Sequence, residues 1–239
     1  MRTLTAARTA TLAAVAGAVL FTGVAAQGTA VAAPQAPKDK LTVAGYRAFL
    51  KSKDVKTLKA FDKLPKVKQQ KFVGYLQNRA VTKAFAVTVG GTLGKSGHKE
   101  VAYNPDIRFV GDVRTTYPEG DHGIHDITVN FTATERIYNI PVVTQRTTLS
   151  YRFEDFRPQP QITGKPKVKS SVTNLNAAFA VGASNGTAVV KGKKTVVAGL
   201  TWNTTPLYKS AGSGAVAKRQ TITGSHGATE KFTAVLAKG

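Results

Sequence analysis

IRFVGDVRTTYPEGDHGIHDITVNFTATERIYNIPVVTQRTTLSYRFEDF, residues 107–156, sorts its side chains by parity. Ile107, Phe109, Val113, Tyr117, Ile127, Val129, Phe131, Ile137, Leu149, Tyr151 and Phe153 are all odd-numbered. The charges fall mostly on even positions: Asp106, Arg108, Asp112, Arg114, Asp126, Arg136, Arg146, Arg152 and Glu154. Successive side chains of a strand point to opposite faces. The pattern therefore predicts three strands, 107–117, 124–138 and 142–156, with one apolar face and one face of Arg, Asp and Glu. Opposite charges across neighbouring strands stabilise such a face by about 0.2–1 kcal/mol a pair.

Outward from this meander the alternation continues. Further strands are expected at 85–89, 98–103, 168–174, 177–183, 187–191, 195–202, 214–223 and 230–237. Turn residues separate them: Gly90-Gly91, Asn104-Pro105, Ser184-Asn185-Gly186 and Gly224-Ser225-His226-Gly227. Asn185-Gly186 between two apolar runs is a strong hairpin signal. Many short, evenly spaced strands point to a sandwich or barrel. The fold expected is mostly β, an immunoglobulin-like β-sandwich over residues 85–239. It would lack the Cys-Trp-Cys framework, since the chain contains no cysteine.

Residues 41–84 read differently, with apolar residues at helical spacing. Thr42 suits the cap of a helix carrying Tyr46, Phe49 and Leu50. Ser52 or Asp54 suits the cap of a second, with Val55, Leu58 and Phe61 on one face. Pro65 opens a third, with Phe72, Val73, Leu76 and Ala80. About three short helices thus form a basic helical subdomain, its other sides filled by lysines that include Lys56, Lys59, Lys63, Lys66 and Lys68. The plainest reading is a cap on the β core with its lysines in water.

The charge of the 239-residue chain, formally +21, is uneven. Residues 34–100 hold 15 Lys and Arg against 4 Asp and Glu. Residues 161–239 hold 11 against 1. Residues 101–160 hold 6 against 8, and their bases are all arginine. Arginine forms planar two-pronged bonds to carboxylates, whereas lysine is a hydrated point charge. The middle is expected to pair its charges internally and the ends to stay cationic. Cationic ends attract anionic polymers or simply maintain solubility.

Residues 1–33 read as a signal peptide. Arg2 and Arg8 precede an Ala-rich apolar run, and Ala30-Val31-Ala32 offers a small-x-small cleavage pattern. Residues 34–40 form a polar linker. A secreted protein without disulfides must be held by burial alone.

Glu119-Gly120-Asp121-His122-Gly123-Ile124-His125-Asp126 gathers the densest polar chemistry. Asp121, His122, His125 and Asp126 are the candidate ligands of a divalent metal, which would make a metal-dependent hydrolase. The plainer reading is a hairpin tip. No Gly-x-Ser-x-Gly elbow or Walker loop is present. Long Thr/Ser-rich strands also allow a membrane-active toxin, although charges on their outer face oppose lipid. The function expected is a secreted, non-enzymatic binding protein without cofactor. Its partner is another secreted protein or an anionic envelope polymer, met through Lys56, Lys59, Lys63, Lys66, Lys68, Arg114, Arg146 and Arg152. No helix-turn-helix, zinc-finger or RNP pattern supports nucleic acid.

Overall fold

The computed structural model describes residues 38–118, 123–156, 158–226 and 230–239. They belong to one compact unit. Residues 1–33, Asp121 and His122 lie outside the described residues, and so does most of the 34–40 segment. Among the described residues no helix is long and apolar enough to cross a membrane.

Four helices come first, one more than the periodicity suggests. They are α1 (Val43–Lys53), α2 (Val55–Asp62), α3 (Lys66–Leu76) and α4 (Arg79–Ala84). Thr42 Oγ1 caps α1 by accepting from Gly45 N at 3.0 Å. Asp54 caps α2 through the N–H groups of Lys56 and Thr57. The expected third helix breaks at Gln77-Asn78 because the Asn78 side chain accepts from Ala80 N at 2.9 Å and starts a new turn. Tyr46, Leu50, Phe61, Phe72 and Leu76 are fully buried. Val55 is 55% exposed, because it sits in the first turn of α2 on the side away from the core.

The β part forms two antiparallel sheets. One is a meander of β2 (Gly97–Asn104), β3 (Ile107–Thr116), β4 (Ile124–Ile137), β5 (Ile140–Glu154) and β6 (Gln161–Asn174), side by side in that order. The other runs β1 (Val87–Thr92), β11 (Lys231–Leu236), β10 (Val216–Ser225), β9 (Thr195–Pro206), β7 (Phe179–Ala183), and β8 (Thr187–Lys191) also pairs with β9. Immunoglobulin sandwiches divide their strands A-B-E-D and C-F-G between the sheets. Here five consecutive strands stay in one sheet, so the likeness to that fold stops at two antiparallel sheets.

The parity pattern is seen directly. Ile127, Val129, Phe131, Ile137, Leu149, Tyr151 and Phe153 are buried, while Arg108, Arg114, Arg146 and Arg152 are exposed. The sheets approach closely. A Cβ at Gly111 would meet Val89 at 2.6 Å, and one at Gly224 would meet Tyr151 Oη at 2.4 Å. The expected Asn185-Gly186 hairpin does not form. β7 and β8 instead lie end to end along β9. Gly186 serves a different need: a Cβ there would strike Val168 of β6 at 2.5 Å.

The helices close one end of the sheets and share their core. Tyr46 Oη donates to Leu175 O, Asn176 Nδ2 donates to Leu76 O, and Tyr75 Oη donates to Asp106. Lys218 of β10 is buried at this end. Its Nζ donates to Lys83 O (2.8 Å) and Phe85 O (2.9 Å), carbonyls left open where α4 ends. Burial pushes its pKa down to about 8, opposed by Glu135. Glu135 itself is buried on the inner face of β4. Burial raises its pKa to about 7, and Lys218 opposes the rise.

Candidate binding surfaces and the histidine end

The outer face of the meander is built by the even positions of β3 to β5 and the odd positions of β6. Register sets Thr128 beside Ser150 and Lys167, then Asn130 beside Thr148 and Lys169, then Thr132 beside Arg146 and Ser171. Thr148 Oγ1 donates to Asn130 Oδ1 at 2.7 Å, and Arg146 Nη1 donates to Thr173 Oγ1 at 3.1 Å. Arg152 grips Asp126 with two bonds, at 2.9 and 3.0 Å. These bonds hold the Asp126 carboxyl below its ordinary pKa. At the edge, Arg108 binds Glu100 at 2.6 Å and His98 meets Asp112 at 2.7 Å. Arg114 is exposed and has no ion pair among the described residues.

An open groove of about 590 Å³ lies on this face. Its lining includes Thr128, Ser150, Arg152, Thr163, Lys165 and Lys167. It arises where β6 bulges. Ser150 pairs with Lys167 but Arg152 pairs with Thr163, which leaves extra residues of β6 opposite Tyr151. Gly164, at φ +69°, makes that detour possible.

The helical cap presents the second cationic surface. Lys56, Lys59, Lys63, Lys66 and Lys68 are all exposed. Lys68 Nζ stands 5.3 Å from the Tyr138 ring centroid. The two carboxylates of the cap are already engaged, Asp54 in capping α2 and Asp62 with Arg47 at 3.0 Å. The same economy holds throughout the described residues. Asp39, Asp54, Asp62, Glu100, Asp106, Asp112, Asp126, Glu154, Asp155 and Glu230 each engage a hydrogen-bond partner, and Glu135 is buried. Among the described residues no carboxylate is left without a hydrogen bond or burial.

Of the four metal candidates, His125 and Asp126 are described. His125 and Asp126 are neighbours on β4 and face opposite sides, His125 inward and Asp126 outward. His125 Nδ1 donates to Pro118 O at 3.0 Å, and Nε2 meets the Asp155 carboxylate at 2.9 Å. Burial opposes its charge, but these two acceptors outweigh burial and raise its pKa. Both ring nitrogens of His125 are therefore engaged within the protein.

His125 belongs instead to a group that the sequence did not bring together. Tyr117 stacks on His125 with ring centroids 4.9 Å apart, and His226 stacks on Phe153 at 4.0 Å. Tyr117 Oη donates to Glu230 at 2.9 Å, and Tyr151 Oη shares a hydrogen bond with His226 Nε2 at 3.0 Å. Burial lowers the His226 pKa to about 4, helped by the charges of His125 and Lys194. This group closes the end of the sheets opposite the helices. Its signal was available only as two separate turns, Glu119–Asp126 and Gly224–Gly227. Ser225, next to His226 in sequence, is hydrogen-bonded to Thr195 Oγ1 at 3.2 Å.

No protein-family model, curated protein or solved structure matches the chain.

Proposed function

We propose that this is a secreted, non-enzymatic binding protein that holds an anionic polymer of the cell envelope. Secretion rests on the N-terminal pattern of basic head, apolar run and small-x-small site. The single observation that carries the binding reading is the state of the carboxylates. Each described one is hydrogen-bonded or buried, while Lys59, Lys63, Lys66, Arg114, Lys167 and Lys169 have no ion pair among the described residues. A surface in this state draws its counter-charge from outside the molecule.

The two cationic surfaces have different characters. The lysines of the cap are long, mobile and separately hydrated, so they serve capture from a distance. The outer sheet face is hydroxyl-rich, with positions fixed by β pairing, so it serves ordered contact. An adaptor role toward another secreted protein shares these surfaces but would resist salt.

The test is binding of the mature chain to soluble anionic polymers across ionic strength. A variant with Lys59, Lys63 and Lys66 changed to Gln is expected to bind about tenfold more weakly at low salt, with an unchanged melting curve. Equal affinity in the variant, or affinity indifferent to salt, would count against the proposal.

A further inference from the structure

We propose that Asn185-Gly186 is a self-modification site, at which the backbone nitrogen of Gly186 attacks the Asn185 side chain and turns it into a carboxylate. The site stands independently of the polyanion reading above.

The two residues lie where the second sheet passes from one strand to the next. β7 ends at Ala183, paired with Trp202, and β8 begins at Thr187, paired with Gly199. Ser184 is tied to Thr201 twice: its N–H donates to Thr201 O at 2.8 Å, and its Oγ accepts from Thr201 N at 2.9 Å. Leu200 alone is left opposite Asn185 and Gly186. Both residues are exposed. Neither the Asn185 side chain nor Gly186 N has a hydrogen-bond partner among the described residues. A backbone held in a ladder cannot turn to bring its nitrogen onto the preceding side chain, whereas this unpaired step is free to do so.

The packing also fixes the glycine. A Cβ at Gly186 would meet Val168 Cγ1 at 2.5 Å and Val168 Cβ at 3.0 Å. The residue after Asn185 therefore has no side chain, and nothing on it shields its own nitrogen. The other asparagines lack this combination. Asn78, Asn104, Asn130, Asn174 and Asn176 have hydrogen-bonded side chains. Asn139 and Asn203 are followed by the β-branched Ile140 and Thr204.

The chemistry needs only water and a base. Gly186 N loses its proton and bonds to Asn185 Cγ. The Cγ–Nδ2 bond breaks, and ammonia leaves with the proton. Water then opens the five-membered imide at either carbonyl, giving aspartate or isoaspartate. In sum an amide and a water become a carboxylic acid and ammonia. The new carboxylate arises one residue from the glycine packed on Val168, whose neighbours Lys167 and Lys169 are exposed. Residues 161–239 otherwise hold 11 Lys and Arg against 1 acid. The reaction thus lowers the positive charge of this part of the surface as the molecule ages, without an enzyme. Isoaspartate also lengthens the main chain by one carbon at the step where no ladder bond has to break.

The experiment incubates the protein, its Asn185→Gln variant and a free peptide of residues 182–188 in neutral and in mildly alkaline buffer. Peptide mass mapping follows the segment, which gains about one mass unit as nitrogen is exchanged for oxygen. Asn185 of the folded protein is expected to convert before any other asparagine, faster in the alkaline buffer. Its rate should lie within about tenfold of the peptide's, because an exposed, unpaired segment needs little energy to open. Asn185→Gln should stay unmodified at this position and melt like the parent, since the replaced side chain is exposed and unbonded. A rate slower than that, or an intact Asn185 while the peptide converts, would show that the fold holds Gly186 N away from Cγ and would overturn the proposal. Earlier conversion of another asparagine would overturn it as well.

Discussion

His226 and His125 sit one ring apart around Tyr117, at ring-centroid distances of 6.0 and 4.9 Å, yet they respond to acid in opposite ways. His226 has a folded pKa of about 4, below the 6.5 of a free histidine. Its contribution to stability is complete above about pH 6.5 and is lost as the pH falls towards 4. His125 has a raised folded pKa, so its contribution is complete below 6.5 and is lost as pH rises through that folded value. Replacing His226 with Phe, which keeps the stack on Phe153, should make the protein less sensitive to acid. Phenylalanine also takes the hydrogen-bond partner of Tyr151 Oη away, so the expected result is a stability loss between pH 7.5 and 4.5 that is about 1–2 kcal/mol smaller than the parent's, read from urea melts at the two pH values. An unchanged acid response would show that His226 is not the group that titrates.

Lys218 is the other buried group with a clear cost. Lys218→Met removes the donor to Lys83 O and Phe85 O and leaves Glu135 without its nearby positive charge. A loss of about 2–4 kcal/mol is expected at pH 7 by denaturant unfolding. Neither residue was singled out from the sequence. Glu135 breaks the parity rule, being a charge at an odd position of β4, and that break was the available sign of a buried acid. Lys218 gave no such sign. It lies in a strand far from Glu135 in sequence, and only the stacking of the two sheets brings them together.

Single elements show why β3, β4 and β5 were readable and β6 was not. The central strands have one buried and one solvated face, which writes a period of two into the sequence. β6 is an edge strand that begins at Gln161, earlier than expected from position 168. Its first half contains Gly164 and Pro166, residues that ordinarily mark a turn. An edge strand with a bulge tolerates both. The helix count failed for a similar local reason: Asn78 keeps apolar periodicity on either side while its side chain caps α4. The immunoglobulin-like expectation went beyond what alternation carries, because strand order depends on which edges meet. Two substitutions test the facing of the elements. Arg146→Leu, on the outer side of β5, should shift stability by less than about 0.5 kcal/mol. Gly111→Val, on the inner side of β3, should cost at least about 1–3 kcal/mol, because its Cβ alone would meet Val89 at 2.6 Å and Val87 at 2.8 Å. Thermal melts of both variants check the pair.

The described residues form a two-sheet core, in a chain without cysteine, closed at one end by lysine-bearing helices and at the other by a histidine and tyrosine group. The sequence carries a formal charge of +21, and among the described residues each carboxylate is engaged in capping, pairing or hydrogen bonds, or is buried. The uneven charge along the chain was plain from composition. What composition did not reveal is that the cationic C-terminal third lends Lys165, Lys167 and Lys169 of β6 to the edge of the arginine-bearing meander. The candidate binding surface was thus half legible: Arg114, Arg146 and Arg152 were assigned to the outer face, and their lysine neighbours were not.

The most direct measurement is the affinity of the protein for an anionic polymer as salt rises from about 0.05 to 0.2 M. If the surplus cations are the binding surface, log affinity should fall linearly with log salt, and total affinity should drop by at least about tenfold over that range. Affinity that stays flat, or no binding even at the lowest salt, would contradict it.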